Sequence, residues 1–339
     1  MRTLLCCALL LLPVSLLPAA KTLDIYIIDT EGGKGIIVAP PGGETMLVDA
    51  GYPRADDRDT NRIVSAAQAL GIKQFDYVVA THYDADHSGN ISKLITRIPA
   101  RIFVDHGEIV PTASERNRKD FYESYVKAIA GKNRMIVKPG DVVPLKGVKI
   151  TVVTAGGAAL AKPVGGAAGR PNALCGVASI NKDVTDIYDN AGSVGLLYEY
   201  GKFRMLDLAD LLQSVEYKLV CPTNLIGQVS LFMVSHHGFK VSNSQLLYQS
   251  LQPRVAIMNN AARKGGEIET FDAIRSDKRL EDLWQMHESN AAKEKNVPEQ
   301  FIANPATPCE AKMIRVSVQP DGTFTVTNTR NNFSKTYKP

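Results

Sequence analysis

The chain has 339 residues, 45% of them hydrophobic and 22% charged, with a formal charge of +4. It is long enough to bury a large core without covalent staples, and its small, evenly spread positive charge gives only a weak footprint for a dedicated nucleic-acid binder. Length alone leaves one large domain or two small ones open.

Residues 1–20, "MRTLLCCALLLLPVSLLPAA", carry one early charge at Arg2, an apolar stretch from Leu4 to Leu17, and small residues at Ala19 and Ala20. This pattern reads as a secretory signal peptide of bacterial type. The stretch is shorter than a bilayer span and is broken by Pro13 and Pro18, so no membrane anchor is expected after cleavage. The expected mature protein is therefore residues 21–339, exported to the periplasm or beyond. Cys6 and Cys7 would leave with the peptide, and Cys175, Cys221 and Cys309 remain. An odd count permits at most one intramolecular disulfide, and the sequence does not choose the pair.

The runs "LDIYIID", "KGIIVAP" and "TMLVDAG" predict a β-meander punctuated by Gly and Pro. Residues 59–70 place Ile63, Ala66, Ala67 and Leu70 at helical spacing, with Gly71 as a stop. A strand follows at "FDYVVA", then a helix at "ISKLITRI", a strand at "RIFVDHG", a helix at "KDFYESYVKAIA", and strands at "RMIVK" and "VKITVVT". Residues 155–172, rich in Gly, Ala and Pro, predict a mobile surface loop. Further strands are expected at "SVGLLYEYG", "KFRMLDL", "VSLFMVSHHG" and "RVAIMNN", and helices at "NSQLLYQSL" and "FDAIRS". His287, beside Trp284, is placed in a helical stretch as a packing or surface residue. The tail, about residues 312–328, carries a hairpin signal around Pro320, Asp321 and Gly322. Two halves of strands and helices suggest two packed sheets with helices outside, without an internal sequence repeat.

The chemistry-bearing stretch is "VVATHYDADHSGN", which puts His82, Asp84, Asp86 and His87 into six positions after an apolar strand. Imidazole and carboxylate donors on a loop leaving a rigid strand suit a divalent ion. If the loop is extended, His82, Asp84 and Asp86 point one way and His87 the other, so one segment could serve two metals. The plainer alternative makes Asp86 a cap for a helix starting near Ser88, which explains neither His82 nor Asp84. A second cluster, His236 and His237 before Gly238, also ends an apolar strand; His in 339 residues numbers only 6. Asp105 and His106 form another strand-end pair, read either as a turn with a surface His or as a ligand or proton donor.

The ordered set resembles the metallo-β-lactamase superfamily of metal-dependent hydrolases, whose first motif reads H-x-[HD]-x-D-H. With Asp84 in the third place it resembles the lactamase-like domain at the C-terminus of the bacterial competence DNA-uptake protein. "GGETMLVDAG" is similar to that family's early hairpin ending in Asp49, "NAGSVGLLYEYGKFRMLDLAD" to its N-x-x-S strand and the following strand ending in Asp, and "VSHHGFKVSNS" to its His-His-Gly segment. No membrane channel domain precedes these motifs, so DNA uptake is not carried over.

The resemblance implies a four-layer αββα sandwich and a dinuclear site, with His82 and Asp84 at one metal and Asp86 and His87 at the other. It favours Asp210 over Asp207 as the bridging carboxylate, because the family has a small residue before it, here Ala209. It favours His236 as the later ligand, with His237 behind it or on substrate. Asn190 with Ser193 stands where the wider superfamily has a middle His. "NNAARKGG" replaces a late Gly-His, leaving Lys264 or Arg263 to meet an anionic substrate group. Zinc is the expected metal, with manganese as the alternative favoured by the harder oxygen donor of Asp84.

Asp86 is expected to orient water or take its proton, and His106 to protonate the leaving group. The expected function is hydrolysis of a phosphodiester or related ester in a small molecule, nucleic acid being permitted but not indicated by charge. The alternatives are hydrolysis of a β-lactam or lactone at the same site, and a binding protein with a degenerate site. Pocket shape and oligomeric state are not legible in the sequence.

Overall fold

The computed structural model describes residues 22–165, 169–177, 180–181, 184–306 and 308–339. The expected signal peptide, with Cys6 and Cys7, lies outside them. Among the described residues no helix is long and apolar enough to cross a membrane.

Two nine-stranded sheets pack face to face. The first begins with Leu23–Ile27, Ile36–Ala39 and Met46–Val48, the predicted meander, and continues through Phe75–Val79, Ala100–Asp105 and Asn133–Ile136. Its alternation is visible in the first strand, where Leu23, Ile25 and Ile27 are buried and Asp24 and Tyr26 are half-buried. The predicted tail hairpin forms as Ile314–Val318 and Phe324–Asn328. It extends this sheet by pairing antiparallel with the first strand, Leu23 facing Val318 and Ile27 facing Ile314.

The second sheet runs through Lys149–Ala155, Gly195–Tyr200, Phe203–Asp207, Leu231–Met233, Val255–Met258, Asp282–His287 and Ile302–Asn304. One hydrophobic cluster fills the space between the sheets. A second packs the outer face of one sheet under the helices Gln213–Val220, Gln245–Leu251 and Ile268–Arg275. A third packs the other sheet under Arg58–Ala69, Ile91–Leu94 and Ser124–Ala128. The layers are therefore αββα, as the sequence pattern and resemblance implied.

Several boundaries differ from expectation. "ISKLITRI" is helical only over Ile91–Leu94, and "KDFYESYVKAIA" spans a π-helical segment, Asn117–Glu123, before Ser124–Ala128. His287 ends a strand, not a helix. "LWQMH" has no alternation because that parallel strand is buried on both faces. The 155–172 loop carries pairing at its ends: Ala158–Ala159 returns on Thr154–Ala155, and Arg170–Pro171 pairs with Thr223–Asn224. The mobility expected of residues 166–168 falls outside the described residues.

Cys175 and Cys221 form a disulfide with Cα atoms 5.8 Å apart, and Cys309 is free. The bond links residues 46 apart, tying the loop to the end of Gln213–Val220. Replacing both cysteines by serine is expected to lower the unfolding free energy by about 3 kcal/mol, chiefly by freeing the unfolded chain. Urea unfolding of the two proteins at one pH checks this.

Candidate metal centre

Parallel strands of both sheets end on one side, and the loops after Val79, Asp207 and Met233 converge there. In the first loop the buried Asp49 carboxylate accepts the backbone N–H of Thr81 at 2.9 Å and its hydroxyl at 2.7 Å. It also holds His87 Nδ1 at 2.9 Å, which fixes the ring with Nε2 facing the opposite sheet. The loop is not extended. The N–H of His87 donates to the carbonyl of Asp84 at 3.1 Å, and this turn brings Asp86 and His87 to the same side, correcting the expected alternation. Asp86 caps no helix; the cap position of Ile91–Leu94 is Asn90.

The facing half comes from two strained turns. Ala209 has φ 50°, and its carbonyl accepts the N–H of His236 at 2.8 Å. His236 and His237 themselves have φ 51° and 53°, a left-handed conformation that a folded environment must hold in place. Gly238 follows with φ 88°, and a Cβ there would meet the backbone N of Gly266 at 2.9 Å.

Asp86, His87, Asp210 and His237, all buried, each offer an atom within 4.8 Å of the others. His87 Nε2 lies 3.2 Å from His237 Nε2, 3.2 Å from Asp210 Oδ1 and 3.4 Å from Asp86 Oδ2. His237 Nε2 lies 3.0 Å from Asp86 Oδ2 and 3.3 Å from Asp210 Oδ2. The expected order of the two late histidines is thus reversed: the double left-handed turn delivers His237 into the cluster. His236 stands at its edge, with Nε2 3.6 Å from Asp210 Oδ2 and Nδ1 3.2 Å from Ser242 Oγ.

Charge is concentrated here. Burial works against the Asp86 carboxylate, but Lys264, His87 and His237 outweigh it and hold its pKa well below the ordinary range. Asp210 is likewise buried yet held well below by His237, His87 and His236. Burial opposes an imidazolium at His87, and Asp210, Asp86 and Asp49 overcome it, raising that pKa well above normal. At His236 burial wins, and the pKa falls to about 4. Two carboxylates and two imidazoles at this spacing are a donor set that fits a divalent cation.

A second group of donors adjoins the first. His82 is fully buried, its Nε2 has no hydrogen-bond partner among the described residues, and it lies 3.6 Å from Asp84 Oδ2. Asp84 Oδ1 is held by Asn117 Nδ2 at 2.5 Å. Asn190 Oδ1 and Ser193 Oγ are also buried without partners among the described residues. Orphaned polar atoms cost free energy, and a cation beside His82 and Asp84 would relieve the imidazole's share. Asp84, Asp86, Asn190, Asp210, His236 and Lys264 line a cavity of about 350 Å³.

Asp207 does not compete with Asp210: it forms a buried ion pair with Lys34, Nζ to Oδ1 2.5 Å. His106 does not serve the cluster. Its Nε2 is bound to Asp189 Oδ2 at 2.9 Å, its ring packs on Tyr83, and it is absent from the cavity lining, so the expected proton-donor role is corrected to a structural one. Lys264 reaches the site because Gly266 N–H bonds to the His237 carbonyl at 2.9 Å; its ammonium bonds Asp86 Oδ2, and Tyr52 Oη at 3.0 Å.

Sequence reasoning missed Asp189, which takes the N–H groups of Tyr83 and Val110, both at 2.9 Å, and Glu216 beneath the His236–His237 loop. It also missed the pair of His287 with Asp29, 2.7 Å apart, near Cys309. Arg62 already neutralises that group, donating to Asp29 and Cys309. These residues are isolated in sequence and carry no spacing signal.

The fold and site together define an α/β sandwich protein with a buried Asp/His cluster whose donors fit a metal ion. Residues 34–167 match the model of the metallo-beta-lactamase superfamily, and over this segment the chain is similar to that family. A curated relative, the coenzyme F420H(2) oxidase of Methanothermobacter marburgensis, is 30% identical over 105 residues, which is 31% of this chain and 24% of the relative. The match thus spans about a quarter of that protein. Among solved structures, CmlA, a diiron beta-hydroxylase from Streptomyces venezuelae, aligns at 13% identity over 76% of this chain and 49% of its own, TM-score 0.44. A diphosphatase from the PhnP family aligns at 13% identity over 70% and 87%, TM-score 0.38.

Proposed function

We propose that this protein is an exported, metal-dependent hydrolase of phosphodiesters or related esters, of the competence-type branch. The observation that carries the reading is the convergence of Asp86, His87, Asp210 and His237, with the Lys264 ammonium at the mouth of the same cavity. Export is supported by residues 1–20 and by the disulfide. The branch is supported by Asp84, by Asn190 with Ser193, and by the His236–His237 segment.

In the reaction, water attacks phosphorus, the bond to the leaving oxygen breaks, and that oxygen takes a proton, giving a phosphomonoester and an alcohol. Asp86, His87, Asp210 and His237 would hold one ion, and His82 and Asp84 with Asp210 a second. Zinc is the first choice, and manganese the alternative. When bound, the metal supplies Lewis acidity and a water acidic enough to react near neutral pH. Lys264 lines the same cavity, where its ammonium would meet a phosphoryl oxygen of the substrate. Asp49, bound to His87 Nδ1, orients the ring so that an ion would meet its Nε2.

Purified full-length protein is expected to hold one to two equivalents of zinc or manganese by emission spectrometry and to hydrolyse bis-p-nitrophenyl phosphate faster than nitrocefin or an acyl homoserine lactone. Absence of stoichiometric metal, or iron with dioxygen consumption and no hydrolysis, overturns the proposal. Mass spectrometry of exported protein is expected to show a chain lacking residues 1–20.

A further inference from the structure

Beside the metal cluster, on the far side of Lys264, lies a larger cavity of about 650 Å³, lined in part by Tyr52, Arg54, Arg62, Arg263 and Lys264. Four cations thus line it against one carboxylate, Glu31, which is already engaged by Arg58 at 2.9 Å and Arg62 at 2.8 Å. Arg54 and Arg263 are exposed, and neither forms an ion pair among the described residues. Tyr52 gathers the charges: its hydroxyl accepts from Lys264 Nζ, and the Arg54 guanidinium carbon lies 4.9 Å from its ring centre. Lys264 lines both cavities, so the two sites adjoin through its side chain.

Like charges left together at a surface without counter-ions repel one another, and an anion relieves them. Guanidinium groups present paired N–H donors that match the oxygens of a phosphate. We infer that this cavity is a subsite for a second phosphate of the substrate, which makes the preferred substrate a short phosphodiester bearing a terminal phosphate. The inference rests on the hydrolase reading for its kinetics but not for its binding. A divalent ion taking Asp86 would free Lys264 from that carboxylate and make it a third unpaired cation of the subsite, beside Arg54 and Arg263. The small net charge and the cavity's volume of about 650 Å³ favour a mono- or dinucleotide-sized ligand over a long nucleic acid.

The test uses the full-length, metal-loaded protein with the dithymidylates pTpT and TpT. The KM for pTpT is expected to be about tenfold lower, since a few charge-assisted contacts at a partly exposed site are worth about that much. In Arg54→Gln/Arg263→Gln the ratio of the two KM values is expected to fall toward one. A wild-type ratio near one, or a ratio unchanged in the variant, overturns the subsite. If neither dinucleotide is cleaved, the hydrolase reading fails, and equilibrium dialysis with pyrophosphate decides the subsite alone. Binding weakened about tenfold in the double variant supports it; equal binding, or none to either protein, overturns it.

Discussion

Asp210→Asn is expected to leave a folded protein that has lost stoichiometric metal and about 10³-fold or more in hydrolysis. Among the described residues Asp210 is the one carboxylate touching His87, His237 and His236 together, with Oδ1 3.2 Å from His87 and Oδ2 3.3 Å from His237. Removing an outer partner of a metal ligand commonly costs roughly 10–100-fold, and Asp210 stands inside that shell. The matched comparison is Asp207, three residues earlier. Its carboxylate is buried against Lys34, and Oδ1 also accepts the N–H of Ala209 at 3.1 Å. Asp207→Ala would strand a buried ammonium, at about 3–5 kcal/mol of stability, so lost activity in that variant would report unfolding. The informative partner is Lys34→Met/Asp207→Leu, which removes both charges and is expected to keep its metal. Emission spectrometry and urea unfolding on the same preparations separate the cases. Metal retained in Asp210→Asn, or lost in the folded double variant, would reverse the assignment of the two aspartates.

Much of this site was legible because its donors lie in short runs after strong strand signals. His82, Asp84, Asp86 and His87 fill six positions, and the preceding strand needs only its apolar, β-branched character to be seen. Asp210 joins the cluster, as the family resemblance favoured through the small Ala209 before it; Ala209 itself sits at φ 50°, a left-handed conformation costly for any residue with a Cβ. The choice between His236 and His237 was not legible, since two adjacent identical side chains are told apart only by backbone torsions. Lys34 and Asp207 are 173 positions apart, and His287 and Asp29 are 258 apart. Such pairs are set by how the sheets pack, which no local period encodes. The strand at Asp282–His287 shows the limit from the other side: burial on both faces erased the alternation that would have named it.

Glu216→Ala is expected to cost about 4 kcal/mol of stability and to weaken metal binding, although the residue touches no donor of the cluster. Glu216 sits on Gln213–Val220 with no solvent exposure, and its carboxylate accepts the N–H groups of Asn243 at 2.8 Å and Ser244 at 3.2 Å. Asn243 passes the restraint on: its Oδ1 accepts from Ser235 N–H at 3.0 Å and Tyr248 Oη at 2.9 Å, and its Nδ2 donates to Ser235 O at 2.7 Å. Ser235 directly precedes His236 and His237, so this chain of bonds is what keeps the left-handed turn in place. Alanine leaves two buried N–H groups unpaired, each costing about 1–3 kcal/mol, and opens a cavity besides. The same residue carries a pH signature. Burial raises its pKa from 4.5 to about 7, against the opposing pull of the two N–H groups. The folded protein therefore holds this proton more tightly than the unfolded chain. The associated stability is complete below about pH 4.5 and is lost as pH rises through 7, about 3 kcal/mol in all at about 1.4 kcal/mol per unit. Glu216→Gln does not titrate, so wild type minus Glu216→Gln in unfolding free energy is expected to fall by about that amount between pH 4.5 and 8. A flat difference across that range would show that Glu216 does not hold its proton in the folded protein, its ionised carboxylate still accepting the two N–H groups.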